Sequence, residues 1–421
     1  MASRMLSGTV AERRETVVRI GVVADDFTGA TDIAAAYASR GRRSVVLTGP
    51  GEPPEGNDVV VAALKTRTAP VAEAVEASLA ACERLRALGC ERFVFKYCST
   101  FDSTDRGNIG PVLDALAERT GAEHVVVAPA FPGNGRTIRD GLLYVGDVLL
   151  EDSPMRHHPL TPMTRSRVAE LLRPQTRYDV GEIHADIVRA GAAQLAGTLA
   201  AAAEKYLVVD TLTDDDLVTI AEATSGDVLV SGAAGLALGS ARGDADPSEA
   251  WPTPAGRRLV VCGSASARTR EQVRHAAENG QPTLRLDVGG LASDPGGVVR
   301  DALAWFTAQD PASAPVIYSV GDLDDVRSGP EAAARTEEAL SRIVEAAIAS
   351  GVTQCVVAGG ETSGAVVNRL GVHALRIGGL IAPGVCWAEG VTAAGDRVAL
   401  ALKSGNFGTP DMFVTAWEVL R

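Results

Sequence analysis

The sequence predicts an α/β fold: two α/β domains with mainly parallel sheets and a cleft between them. Three observations carry this reading. An apolar, largely β-branched run (residues 17–23) ends in Asp25-Asp26 and leads into a stretch where Ala30, Ile33, Ala34, Tyr37 and Ala38 recur at helical spacing, the opening strand–turn–helix unit of such a sheet. The alternation of strand and helix then continues down the chain. It is interrupted by residues 241–257, rich in Pro, Ala, Gly and charge, before a new strand, glycine loop and helix begin. The expected division is a flexible leader (1–16), an N-terminal domain (17–240), a linker (241–257) and a C-terminal domain (258–421).

With 421 residues and 46% apolar content, the chain is long enough for two large cores; aromatics are only 4%, so Ala, Val, Leu and Gly carry the packing. A net charge of −13 argues against a nucleic-acid partner. No apolar run reaches membrane-spanning length, and residues 1–16 lack the apolar core of a signal peptide. The six cysteines show neither CxxC nor zinc spacing and read as reduced residues of a cytoplasmic protein. The metal ligands, if any, are unknown at this level. A homodimer is compatible with the sequence but not required by it.

In the first half, strands are expected at 44–47, 58–64, 92–97, 124–128, 206–209 and 228–231, with helices at 71–88, 109–119, 186–203, 214–223 and 232–239. Asp25 and Asp26 fall at the carboxyl end of the first strand, where ligands of parallel sheets sit. A helix cap would explain one of them. The strand at 92–97 ends in KYCSTFDSTDRGNIG, with Lys96, Ser99, Thr100, Asp102, Ser103, Thr104, Arg106 and Asn108. One cap needs one such residue, not eight, and this density of hydroxyls with a carboxylate and two cations suits a polyhydroxy acid. Arg136, after two glycines in PAFPGNGRT, is placed on a loop where its guanidinium can meet a substrate carboxylate. Residues 141–148 read as a short hairpin. In SPMRHHPLTPM, the consecutive His157 and His158 point to different sides, which disfavours a two-metal site; one of the two as a hydrogen-bonding substrate contact stands evenly against a purely structural loop histidine.

The second half restarts at 258–262 and runs into GSASARTREQV, where Ser264 and Ser266 precede a helix starting near Ala267. Gly289-Gly290 and Gly296-Gly297 read as loop punctuation. After strands at 316–320 and 355–358 and a helix at 331–350 comes GGETSGAVVNRLG, the strongest anion signature in the chain. Gly359 and Gly360 allow close backbone approach, Thr362 and Ser363 supply hydroxyls, and a helix expected at 364–370 aims its amino end at the same spot. It is neither a Walker A loop nor a dinucleotide fingerprint. Strands at 385–389 and 398–402 lead to KSGNFGTPDMF, with Lys403, Ser404 and Gly405 in a second glycine loop. A carboxylate-bearing half facing a glycine-lined half suggests phosphoryl transfer, which needs positioning, charge neutralisation by magnesium and a carboxylate to orient the attacking hydroxyl.

These segments resemble the four-carbon acid sugar kinase family. ADDFTGATD, GSAS, AGGETSGAVV and LKSGNFG match its motifs, and KYCSTFDST, AFPGNGRT, VGDVLL and MRHHPLTPM look like its 3-oxo-tetronate kinase branch. The resemblance spans residues 20–413. It implies an N-terminal sugar-acid domain, a C-terminal nucleotide domain and transfer of the terminal phosphate of ATP, with Mg2+, to the end hydroxyl of a tetronate. It further implies ATP contacts at Ser264, Ser266, Gly359, Gly360, Glu361, Thr362 and Gly405, and substrate contacts at Asp25, Asp26, Lys96, Arg136 and His158. One departure is Cys262 and Ala265, where the family order is Ser-Gly-Ser-Cys-Ser. Asp26 is the first choice of catalytic base, with Glu361 as an alternative acting near magnesium. The rival readings are a kinase of plain threonate or erythronate and, in another class, a non-catalytic sugar-acid binding protein. A nicotinamide-dependent dehydrogenase is weaker, since no glycine fingerprint follows any strand.

Overall fold

The structure, a computed structural model, describes residues 19–158, 161–246, 254–321 and 329–420. The expected leader, residues 247–253 of the expected linker and Pro159 lie outside them. The strands of the first half are β1 (Ile20–Ala24), β2 (Ser44–Leu47), β3 (Val59–Ala63), β4 (Arg92–Lys96), β5 (Val125–Ala128), β6 (Arg136–Arg139), β7 (Leu142–Val145), β8 (Val148–Leu149), β9 (Val180–Ile183), β10 (Tyr206–Val209) and β11 (Leu229–Gly232). Those of the second half are β12 (Arg257–Cys262), β13 (Thr283–Arg285), β14 (Val316–Tyr318), β15 (Val352–Ala358), β16 (Ala374–Ala382), β17 (Val385–Val391) and β18 (Arg397–Lys403).

In the first half, β2-β3-β1-β4-β11-β5-β10-β9 form an all-parallel array. Helices cover both faces of such an array, so its strands must be apolar throughout. β1, β2, β3, β5 and β10 are buried at every position. In the second half, β13-β14-β12-β15-β18 are parallel, and β17 and β16 add an antiparallel edge. β6, β7 and β8 make a separate small antiparallel sheet.

The two arrays are not separate sheets. β16 pairs antiparallel with β2 (Ala374 with Leu47, Leu375 with Val46, Arg376 with Val45), giving one sheet of 15 strands among the described residues. A single core cluster correspondingly contains Val22, Ala30 and Ile33 of one half and Val261, Val357 and Val367 of the other. In a flat sheet the antiparallel join would put the carboxyl ends of β1 and β15 on opposite edges. Six strand-to-strand steps separate β1 from β15. At about 20–25° of twist per step the accumulated rotation is roughly 120–150°, which turns most of that opposition back. The carboxyl ends therefore face a similar way, and it is the helices that follow them, Phe27–Ser39 and Gly360–Leu370, that touch.

Each half also reverses its winding at the strand that bears the sequence motif. β1 has β3 on one side and β4 on the other; β12 has β14 on one side and β15 on the other. A crevice opens at such a reversal. Asp25-Asp26 and Lys96 sit at the first, and Gly263-Ser264 and Gly359-Gly360 at the second.

Several elements differ from the sequence expectation. The helix expected over 186–203 is two helices, Ala185–Arg189 and Ala192–Ala201, broken at Gly191 (φ +102°). The expected hairpin is a three-stranded unit that begins at Arg136, so Arg136 lies on β6, paired with Val145, and not on a loop. Gly296-Gly297 lie in the first turn of helix Pro295–Thr307, which Asp294 caps by accepting from Gly297 N at 2.8 Å. The helix after β15 spans Gly360–Leu370, so Glu361, Thr362 and Ser363 form its first turn. β9, β13 and β16 were not expected.

Candidate active site

At the end of β1, Asp25 and Asp26 share one guanidinium. Arg67, on the loop after neighbouring β3, donates through Nε and Nη2 to the two carboxylate oxygens of Asp25 and through Nη2 to Asp26 Oδ1, each at 2.8 Å. Its Nη1 lies 3.7 Å from Asp102 Oδ2. Asn108 fixes this loop by donating to the carbonyls of Thr66 (2.6 Å) and Ala69 (2.8 Å). Phe101 (φ +65°) and Asp102 (φ +41°) hold left-handed backbone although neither is glycine, a strain that places the Asp102 carboxylate beside Arg67. Thr100 donates to the other Asp102 oxygen at 2.6 Å.

Asp26 also caps helix Phe27–Ser39, accepting from Gly29 N at 3.1 Å and from Thr28 Oγ1 at 2.8 Å. A methyl group on Gly29 would fall 2.2 Å from Asp26 Oδ1 and 2.6 Å from Lys96 Nζ, so the acid and the buried lysine at the end of β4 flank this glycine. Burial by itself would raise the Asp26 carboxyl. Arg67, Lys96, Thr28 and Gly29 outweigh it, and Asp26 ends below the ordinary carboxylate range. Farther along the helix, buried Asp32 is pushed up to about 6 by desolvation, with Lys96 opposing and Asp26 reinforcing the rise.

In the other half, a cavity of about 290 Å³ is lined by Gly263, Ser264, Ser319, Glu337 and the turn Gly359–Thr362. Two glycines are required by geometry. Gly359 has φ +130°, and a methyl group on Gly263 would fall 2.1 Å from Thr362 Oγ1. Thr362 is buried. Ser266 is already engaged: it caps helix Ala267–Glu278 through Thr269 N (3.1 Å) and donates to the Gly405 carbonyl at 2.6 Å. Ser264 Oγ accepts from Ser266 N at 3.2 Å and lies against the Gly405 loop. Glu337 faces Glu361 across the cavity. Burial, reinforced by Glu361 and opposed by Lys65, raises its carboxyl. Two carboxylates that disfavour each other's charge are hard oxygen donors suited to a divalent cation.

The halves touch at these two places. The Phe27 ring lies 3.5 Å from where a methyl group on Gly364 would sit, and Thr28 Oγ1 lies 3.7 Å from that of Gly360. The amino end of helix Phe27–Ser39 thus abuts the amino end of helix Gly360–Leu370, and both dipoles favour an anion there. Lys65 of the first half pairs with Glu361 of the second.

Of the residues singled out in the sequence, the structure brings Asp25, Asp26 and Lys96 together on one side of this contact, and Ser264, Gly359, Gly360, Glu361, Thr362 and Gly405 on the other. Arg136 donates to the Asn134 carbonyl and His158 Nδ1 accepts from Thr161 N at 3.1 Å, which leaves Nε2–H as the free donor of a neutral His158. Neither shares a hydrogen bond or ion pair with the Asp25–Arg67 cluster among the described residues. Sequence reading missed Arg67 and Glu337. The available signal for Arg67 was its place two residues past Lys65 at a strand end beside β1.

This is a two-lobed α/β protein with a carboxylate-rich crevice in one lobe and a glycine-lined anion cradle in the other. Its residues 20–240 match the family model described as a sugar-binding N-terminal domain, and 259–413 the one described as a nucleotide-binding C-terminal domain. A 3-oxo-tetronate kinase from Cupriavidus necator is 44% identical over 99% of both chains, and one from Salmonella typhimurium is 40% identical over 95% of this chain and 99% of the relative. Among solved structures, a Salmonella typhimurium protein described as a candidate tRNA synthase has a TM-score of 0.87 at 39% identity, covering 94% of this chain and 98% of its own. A Haemophilus influenzae protein has a TM-score of 0.77 at 37% identity, covering 95% and 100%. The chain belongs to the four-carbon acid sugar kinase family.

Proposed function

We propose that the protein is an ATP-dependent kinase that phosphorylates the 4-hydroxyl of a 3-oxo-tetronate, in the breakdown of four-carbon sugar acids in the cytoplasm. The observation that carries this is the meeting of the Asp26-capped helix and the Gly360 helix at their amino ends. It supports a reading in which Asp26 orients the hydroxyl on one side of the contact and the glycine turn holds the phosphates on the other. The names of the relatives support the substrate. Among the described residues no helix is long and apolar enough to cross a membrane. The net charge of −13 speaks against the nucleic-acid substrate that a tRNA synthase would need.

In this reading Asp26 accepts a hydrogen bond from the attacking 4-hydroxyl and aligns it with the terminal phosphorus. The new O–P bond forms as the bond to the ADP oxygen breaks, and the hydroxyl proton passes to Asp26. Its lowered pKa suits an orienting group that takes the proton late. Lys96 and Arg67 hold the acid charged, Asp25 sets Arg67, and Arg136 and His158 Nε2–H meet the carboxylate end of the substrate. Ser264, Ser266, Gly359, Gly360, Thr362 and Gly405 cradle the phosphates. Glu361 and Glu337 fit Mg2+, which when bound neutralises phosphate charge.

A coupled ATPase assay over 3-oxo and reduced four-carbon acids tests the proposal. Turnover with a 3-oxo-tetronate and ATP is expected; turnover only with threonate or erythronate would favour the plain-tetronate reading, and no turnover with any acid a binding protein. Asp26→Asn should lower kcat by about 10²- to 10⁴-fold while nucleotide binding, read by calorimetry, persists. Near wild-type turnover would remove Asp26 from the chemistry.

A further inference from the structure

Lys403, the last residue of β18, has a fully buried side chain. It stands where the three glycine segments of the second half converge. Its Nζ donates to Thr269 Oγ1 at 3.0 Å and to the Gly405 carbonyl at 3.1 Å. That same carbonyl accepts from Ser266 Oγ at 2.6 Å and from Thr269 Oγ1 at 2.9 Å. The backbone carbonyl of Lys403 accepts from Gly359 N at 2.9 Å. One residue therefore fixes the start of the Gly360 helix, the Gly405 loop and the cap of helix Ala267–Glu278.

The ammonium's hydrogen-bond partners are all neutral. Around it stand the Cys262 thiol on β12, which burial pushes up to about 12 and so keeps uncharged, the like-charged Arg268 in the first turn of helix Ala267–Glu278, and the Phe413 ring, whose centroid is 5.9 Å from Nζ. Among the described residues no carboxylate forms an ion pair with it. A buried ammonium without a counter-ion is costly, and such a group either finds an anion or loses its proton. A staple for the loop alone needs no charge. A hydroxyl or amide would serve.

We propose that Lys403 is a positioning residue whose buried ammonium is the counter-charge for the phosphates held by these loops, so that the protein supplies the cation and the nucleotide the missing anion. This rests on the nucleotide-site reading above. Before binding, burial, with Arg268 adding to it and Cys262 opposing, lowers the group to about 8. An arriving phosphate raises it again, so binding above that pH takes up a proton.

The test is calorimetric binding of Mg·ADP to the full chain at pH 7 and pH 9, for wild type, Lys403→Met and Lys403→Arg. Wild-type affinity should fall about tenfold between the two pH values. At pH 9, runs in two buffers of different ionisation enthalpy should show uptake of close to one proton per nucleotide. Lys403→Met should bind at least about tenfold more weakly at pH 7 and lose the pH dependence; Lys403→Arg, charged at both values, should lose the pH dependence while binding more tightly than Lys403→Met. Should either variant fail to fold, the wild-type profile and proton count decide alone. Wild-type binding that is flat across this range, or a fall that persists in a folded Lys403→Met, overturns the role of Lys403 but leaves the nucleotide site standing. Absence of wild-type binding at both pH values overturns the nucleotide site and this inference with it.

Discussion

Arg67 sets a single positive charge between Asp25 and Asp26 at the end of β1 and bonds both, which offsets part of their mutual repulsion. Removing the guanidinium alone leaves the buried Asp25 carboxylate without its side-chain partner, a loss of about 3–5 kcal/mol. Arg67→Met should therefore lower the melting temperature and turnover together. Adding Asp25→Asn should restore much of the stability but not the turnover; recovery of both would make Arg67 purely structural. Asp32 gives a second check at this scale. Its folded-state pKa of about 6 lies above the unfolded 3.8, so its contribution is full below about pH 4 and is lost as pH rises through 6. Near pH 7.5 the buried charge is a burden, and Asp32→Asn should melt higher than wild type by the equivalent of roughly 1–3 kcal/mol. That difference should vanish by pH 4 in thermal melts at a series of pH values.

Elements were legible where their periodicity was uninterrupted. The apolar run of β1 and the Ile33–Tyr37 face of its helix declare themselves, as do Val71–Ala87 and β15. Glycine misled the reading in both directions. Gly296-Gly297 look like a loop, yet Asp294 and Pro295 supply the cap and N1 residue that let a helix start there. Gly378-Gly379 break the pattern of β16, a strand that pairs with β17 through register shifts and so hides from a period-two search. A lone loop arginine such as Arg67 carries no period at all; only its place at a strand end marks it. The turn at Gly359 yields a prediction of its own. Gly359→Ala would force a side chain into φ +130° and set its methyl 3.0 Å from Thr362 Oγ1. A cost of about 1–3 kcal/mol is expected, with the KM for ATP raised and that for the acid unchanged in steady-state kinetics.

Across the whole molecule, two sequence-defined halves share one sheet through β2 and β16 and one core cluster. Differential scanning calorimetry should accordingly show a single transition for both halves, with calorimetric and van't Hoff enthalpies in agreement. Two resolved transitions would mean that the join contributes little. Neither the join nor its antiparallel sense was visible in the sequence, because a pairing between distant edge strands leaves no local pattern.

The sheet behaves like a screw thread that sets the angle between the Asp26 end of one half and the Gly360 end of the other. Each added or deleted strand between β1 and β15 would advance that thread by about 20–25°, swinging one partner away from the other without altering a single side chain at the reacting centre. Natural or engineered length variation should for this reason be confined to the outer rims, β9 and β13, while the span from β3 to β18 keeps a fixed strand number.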